Sequence, residues 1–368
     1  MNDRITRLTQ AMHTANLEML VLNPGASLTY LTGLHFHTSE RPTVLLVVPG
    51  KIPVIILAAL EANKLKKAGS PLEPITYGDN PQTWQAAFIE AREKLNIVSE
   101  KIGVEPTALR FMELNYLKAA FPDSEFLSAE SILASLRMSK DEEETAKMRQ
   151  AVKIAQDAFL ATLPIIKSGV SELTIAAELS AQLLRHGSQS EFPFPPIVSS
   201  GPLHSADPHA TPGERLVQSG DTIVIDWGAR YQDYASDITR TVAVGEISPE
   251  LENIADIVLQ ANAAGRAACQ PGVTAGSIDD AARQVIDAAG YGPYFNHRVG
   301  HGLGMEAHEF PYMFAENDYL LVPGNTFTVE PGIYISGTGG VRIEDDMLIT
   351  ADGAESLTTL PRELFRIG

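Results

Sequence analysis

Two stretches of this 368-residue sequence read as near copies of each other. Gly220-Asp-Thr-Ile-Val-Ile-Asp226-Trp-Gly228 and Gly324-Asn-Thr-Phe-Thr-Val-Glu330-Pro-Gly332 share a Gly-x-Thr opening, an apolar run, and a carboxylate followed by x-Gly. An acid at the end of a buried strand needs a counter-charge, because an unpaired buried charge is strongly unfavourable. Two acids at equivalent places point to something positive between them. The repeat reaches further: Gly169-Val170-Ser171 recurs as Gly272-Val273-Thr274, and the helical patterns behind them end at Gly187 and Gly290, a shift of 103 each time. The strands themselves are shifted by 104. One half-domain is used twice, over roughly 139–246 and 247–368, which implies a pseudo-twofold with a shared site near its axis.

The chain is long enough for two domains with separate cores. Residues 1–136 alternate strand and helix signals and predict an α/β domain; residues 137–368 hold the duplication, so the fold class is α+β. In the first part, helices are expected over Arg4–Asn16, Leu60–Lys67, Gln82–Leu95 and Ala108–Ala120. Strands are expected over Met19–Leu22, Thr43–Val48, Val54–Leu57 and Ile102–Glu105. The boundary falls near Arg137–Lys140. There Ser139 and Glu142 fit the N-cap and N3 positions of a capping box that opens a long helix running towards Pro164. In each half of the second domain, helices precede a β-hairpin.

Charge and composition exclude several functions. The formal net charge is -18 with no basic block, which argues against nucleic-acid binding. The longest apolar runs, such as Val54–Leu60, are too short to span a bilayer. The segment Met1–Asn16 is polar and amphipathic, unlike a signal peptide. The single cysteine, Cys269, rules out an intramolecular disulfide and lies in an Ala-rich helical stretch where a small buried role is expected. Together these features predict a cytoplasmic protein without a membrane partner.

Asp237 follows Asp226 by eleven residues, and Glu344 follows Glu330 by fourteen. A turn near Tyr231 and Gln232 would set the aspartates opposite each other. A turn at Gly337, inside Ser336-Gly-Thr-Gly-Gly340, would do the same for the glutamates. Like charges at directly opposed positions repel, and divalent cations reverse that sign; a pair of ions suits two facing carboxylate pairs. His301 has glycines on both sides, so its backbone can approach closely and its ring can turn inward as a metal ligand. His209 carries little signal alone, and His204 reads as structural. One imidazole with four carboxylates is a hard, oxygen-rich set suited to Mn²⁺, Co²⁺ or Fe²⁺, with Zn²⁺ an alternative. The expectation is a dinuclear metallohydrolase whose nucleophile is a metal-activated water.

The motifs Asp226-x-Gly, Ser-Asp237-Ile-Thr-Arg-Thr, Gly-His301-Gly-x-Gly, His308-Glu-x-Pro, Val-Glu330-Pro-Gly and Val-Arg-Ile-Glu344-Asp resemble the "pita-bread" metallopeptidases. That family includes methionine aminopeptidase, aminopeptidase P, prolidase and the metal-free creatinase. The resemblance covers the domain from about residue 139 onward, in order and spacing. The preceding domain resembles the creatinase-type N-terminal domain of the proline-directed branch. It implies two divalent ions per chain, manganese favoured, held by Asp226, Asp237, His301, Glu330 and Glu344. It also implies that His209 and His308 contact the scissile carbonyl or the tetrahedral intermediate, that Glu330 moves a proton, that Arg342 orients a ligand carboxylate, and that His297 lines a proline pocket. The substrates implied are short proline-containing peptides, cleaved at Xaa-Pro bonds by a homodimer. Prolidase is the favoured reading; aminopeptidase P, a non-peptidase C–N hydrolase of the same fold and a metal-free binding protein are the alternatives.

Overall fold

The computed structural model describes residues 3–97 and 100–368; positions 1, 2, 98 and 99, which include the start of the amphipathic N-terminal segment, lie outside the described residues. The chain forms two compact units, Met1–Arg137 and Met138–Gly368.

The first unit is built on six strands: β1 (Met19–Leu22), β2 (Val44–Val47), β3 (Val54–Ala58), β4 (Glu73–Tyr77), β5 (Lys101–Val104) and β6 (Glu125–Ser128). Their order in the sheet is β4-β3-β2-β1-β5-β6. Strands β1 to β3 are apolar and buried at every position, as expected where helices cover both faces. The helices are α1 (Asp3–Thr14), α2 (Ala26–Thr32), α3 (Trp84–Leu95), α4 (Phe111–Ala120) and α5 (Glu130–Arg137). Helix α3 buries Trp84, Ala87, Phe88, Ala91 and Leu95, one stripe at helical spacing. The helix expected over Leu60–Lys67 is a 3₁₀ segment, Ala59–Lys67, with no buried residue to reward a full α-turn. Strand β4 escapes the sequence because its charged start and Pro74 leave only Ile75 and Tyr77 buried.

The second unit opens with α6 (Glu142–Thr162) and α7 (Glu172–Arg185), followed by β7 (Ile197–Ser200), the short α8 (Gly201–His204), β8 (Thr222–Trp227), β9 (Arg230–Tyr231), β10 (Tyr234–Ala235) and β11 (Ile238–Val244). The second copy follows as α9 (Pro249–Ala268), α10 (Ala275–Ala288), β12 (Gly300–Gly302), β13 (Glu309–Met313), β14 (Thr326–Val329), β15 (Gly332–Ile335), β16 (Gly339–Arg342), β17 (Asp345–Ile349), β18 (Ala354–Ser356) and β19 (Phe365–Ile367). The duplication shows in matched hydrogen bonds. Gly169 N donates to Val217 O at 2.8 Å, as Gly272 N does to Leu321 O at 2.7 Å. The N-cap hydroxyls of Ser171 and Thr274 accept from Thr174 N and Ser277 N. Strand β8 is anchored from behind by Trp227, whose indole donates to Ala155 O at 2.9 Å and stacks on Phe159 at 4.4 Å.

Two local expectations are corrected. The capping box of α6 uses Asp141 and Glu144 rather than Ser139 and Glu142. Ser139 is bridged to Asn325, and Lys140 N donates to Gly324 O at 2.8 Å, so the chain is held extended there and the helix starts two residues later. In the first hairpin, Asp226 lies opposite Thr239, not Asp237. The turn falls on Gln232 and Asp233, both with positive φ (45° and 74°), one residue beyond the expected midpoint. This is the type I′ geometry that matches the twist of a two-residue hairpin. A one-residue displacement of the turn moves the register by two, so Asp237 stays on the face of Asp226 but sits diagonally to it.

Cys269 follows α9 in the core, and burial pushes its thiol up to about 12. The thiolate is the reactive form. A thiol-modifying reagent at mildly alkaline pH should therefore leave the native protein unmodified and label it fully in denaturant, read by intact-protein mass spectrometry.

Candidate metal centre

The two hairpins present their acids through different backbone arrangements. Strand β8 runs on through Asp226 in a continuous ladder with β11. In the second copy the β14–β17 ladder stops at Val329↔Asp345 and resumes as β15–β16 at Gly332↔Arg342, in the same register. Glu330 and Glu344 stand opposite each other in the gap. Pro331 has no N–H to give Ile343 O, which accepts from Asn262 Nδ2 at 3.4 Å instead, while Ile343 N still donates to Pro331 O at 3.4 Å. Glu330 and Glu344 form the adjacent non-hydrogen-bonded pair, so their N–H groups point away from each other. Glu330 N donates to Val299 O at 2.7 Å, and Glu344 N reaches Thr239 O of the first hairpin at 3.1 Å. His301 enters from β12. A Cβ on Gly300 would collide with Thr328 O, and one on Gly302 with the Phe310 backbone, so only glycine permits this approach.

Three overlapping groups keep their ligand atoms within 4.8 Å of one another: Asp226, Asp237 and Glu344; His301, Glu330 and Glu344; Asp237, His301 and His308. Asp226, Asp237, His301 and Glu344 are buried, and Glu330 is nearly so. His301 Nδ1 lies 3.1 Å from Gly302 O, which can only accept, so Nδ1 carries the proton. Its Nε2 lone pair then faces Glu330 Oε1 at 3.3 Å and Asp237 Oδ2 at 3.6 Å. Asp226 gives one oxygen to Arg342 at 2.7 Å, while its Oδ1 is buried with no hydrogen-bond partner. Lone pairs and carboxylates converging on one point are favourable only around a cation, so the donor set fits divalent metal.

Electrostatics agree. Burial, together with the charges of Glu344 and Asp226, holds Asp237 well above the usual carboxylate range. Burial and Glu330 do the same to Glu344, and burial raises Asp226 despite Arg342. Glu330 departs in the other direction. Burial raises it, but with a proton on His301 Nε2 in place of the cation, the hydrogen bond and charge of His301 outweigh that and bring it down to about 2.

All nine side chains singled out in the sequence line one cleft of about 1030 Å³. His209 and His308 keep much of their surface open to it. Burial and the adjacent His301, whose ring centroid is 3.9 Å away, push His308 down to about 4. His297 is linked inward through a residue the sequence reading missed. Arg342 Nη1 donates to Tyr334 OH at 2.9 Å, and Tyr334 OH lies 3.1 Å from His297 Nε2. His297 Nδ1 donates to Arg298 O, so the Tyr334 hydroxyl gives its proton to Nε2. Asp226, Arg342, Tyr334 and His297 thus form one chain, and burial raises the tyrosine to about 12. Counting by two from Glu330 along the strand reaches Tyr334 on the same face, which is the signal that could have found it.

Two outcomes follow from this geometry. The raised carboxylates favour the metal-free fold while they are protonated, and that contribution is lost as pH rises through their folded-state values. A divalent cation offsets the loss, so Mn²⁺ should raise the Tm of chelator-treated protein more at about pH 7.5 than at about pH 5. An equal shift at both would contradict it. Tyr334→Phe leaves a buried arginine donor unpaired and should destabilise the protein by about 1–3 kcal/mol in denaturant unfolding.

Comparison with known proteins places this geometry in context. A family model described as metallopeptidase family M24 matches residues 146–351, and one described as the creatinase/prolidase N-terminal domain matches residues 4–139. The chain is 36% identical over 362 residues to a putative dipeptidase of Bacillus subtilis, YkvY, covering 98% of this chain and 99% of that one. It is 33% identical over 361 residues to the Xaa-Pro dipeptidase of Lactobacillus delbrueckii subsp. lactis, covering 98% of each. Among solved structures, a dipeptidase from Pyrococcus horikoshii OT3 superposes with a TM-score of 0.92 at 36% identity, covering 99% of this chain and 100% of that one.

Proposed function

The chain belongs to metallopeptidase family M24, with a creatinase/prolidase N-terminal domain ahead of the catalytic one, and on that premise we propose that it is an Xaa-Pro dipeptidase using two divalent cations. The observation that carries the reading is that Asp226, Asp237, His301, Glu330 and Glu344 form overlapping groups of three whose ligand atoms lie within 4.8 Å of one another, beside open histidines. The family and the full-length similarity to an Xaa-Pro dipeptidase support it. Four carboxylates and one imidazole favour manganese, with cobalt, iron or zinc as substitutes. The proposal takes the working enzyme as a cytoplasmic homodimer; among the described residues no helix is long and apolar enough to cross a membrane.

When bound, the cations supply Lewis acidity and a water of depressed pKa. The protein's own groups do the rest. Glu330 is ionised at neutral pH and stands ready to take a proton from the attacking water. It then returns that proton to the departing proline nitrogen, which has no hydrogen of its own in the peptide. His308, held neutral, offers a ring N–H to the oxygen that gains charge without adding a competing cation, and His209 approaches the same cleft. Arg342 fixes the Asp226 carboxylate so that its second oxygen points inward. His297, tied to Tyr334, forms the wall against which the proline ring rests.

The decisive assay compares Ala-Pro with Arg-Pro-Pro in the presence of Mn²⁺ or Co²⁺. Faster cleavage of Ala-Pro is expected. Preference for the tripeptide would establish aminopeptidase P specificity, which the cleft has room for, and cleavage of neither would turn the assignment to another C–N hydrolase. Glu330→Gln should lower kcat by at least about 100-fold on the cleaved substrate.

A further inference from the structure

His209 and His297 both face the cleft from loops, outside any helix or strand. Loop side chains keep a precise position only when the backbone around them is tied down. For His209 the side-chain tie at the loop base is a carboxylate far along the sequence, beside the backbone bonds from Glu172 N to Arg215 O at 3.1 Å and Leu173 N to Gly213 O at 3.0 Å. Glu172, the first residue of α7, is fully buried. Its Oε1 accepts from Ser200 N and Ser200 Oγ, both at 2.7 Å; its Oε2 accepts from His204 Nδ1 at 2.8 Å and Gly213 N at 3.2 Å. These donors lie on both sides of the segment that carries His209, so one side chain closes the loop at its base. The segment is also read from the metal side, because Pro208 O accepts from Arg342 Nη1 at 3.2 Å.

The second copy contains a counterpart on the equivalent helix. Asp279 of α10 is almost fully buried, accepts from Val299 N at 2.7 Å, and pairs with Arg283 at 2.7 Å. Arg283 in turn donates to Phe295 O at 3.0 Å and His297 O at 2.8 Å. The two carboxylates occupy different positions on their helices, so they are parallel solutions and not one repeated residue.

We propose that Glu172 is a positioning residue for His209, and that Asp279, acting through Arg283, is the corresponding positioning residue for His297. The inference rests on the peptidase reading for its kinetic test, but hydrogen exchange of the loop tests it independently. Glu172→Gln puts an amide N–H where only donors point. It should lower kcat/KM by about 10- to 100-fold with unchanged metal content, and it should raise amide exchange in residues 201–213 selectively. In a His209→Ala background the same substitution should cost less than about 2-fold, because its effect passes through the histidine. A full loss in that background, or unchanged exchange in the loop, would overturn the proposal. Asp279→Asn measured against His297→Ala gives the second, independent cycle, with the same two outcomes. Should Glu172→Gln not fold, His204→Ala removes one donor from the half-exposed side, and unchanged loop exchange in that variant overturns the claim equally. If the wild-type protein cleaves no Xaa-Pro substrate, the functional reading fails while the exchange result still decides the positioning claim.

Discussion

Everything in the catalytic unit turns on one electrostatic constraint: four carboxylates brought together out of water. Burial and mutual repulsion hold Asp226, Asp237 and Glu344 above their ordinary range, which is the signature of charges placed for a partner that is not a side chain. Among the described residues one guanidinium, Arg342, pairs with a member of the set, and it takes one oxygen of Asp226. Thr239 serves both copies, donating to Glu344 Oε2 at 2.6 Å and accepting from Arg342 Nε at 3.0 Å. The protein orients the acids without neutralising them, which leaves the compensation to bound cations.

The duplication explains how such a cluster can be folded at all. Each copy contributes a helix pair that packs against its own hairpin, so the four charges are divided between two elements. The copies then diverge. The aspartate hairpin keeps an unbroken ladder. In the glutamate hairpin the two acids form a non-hydrogen-bonded pair, and their outward N–H groups bond to Val299 O and to Thr239 O. Those two bonds connect the halves and the histidine segment, while the proline in Val-Glu330-Pro-Gly leaves Ile343 O to accept from Asn262 of α9.

Much of this was legible in the sequence. The repeated strands, the offset near 103 and the glycines around His301 require specific backbone geometry, and each leaves a mark in residue type. The register of the first hairpin was not legible, because Gln232 and Asp233 adopt a positive-φ turn without the glycine that usually announces one. The helix start at Glu142 was misplaced because Ser139 and Lys140 are recruited by a distant strand, a contact that local propensity does not encode. Tyr334 and Glu172 were invisible for a related reason: their importance lies in what they touch from other elements, and their residue types alone are common.

The central claim is that the duplicated hairpins converge to hold a pair of cations. Crystals grown with Mn²⁺ and measured for anomalous scattering test it directly. The account predicts two strong peaks about 3.5–4 Å apart, enclosed by Asp226, Asp237, His301, Glu330 and Glu344. Peaks confined to the surface, or a cluster that stays without metal at saturating Mn²⁺, would contradict it.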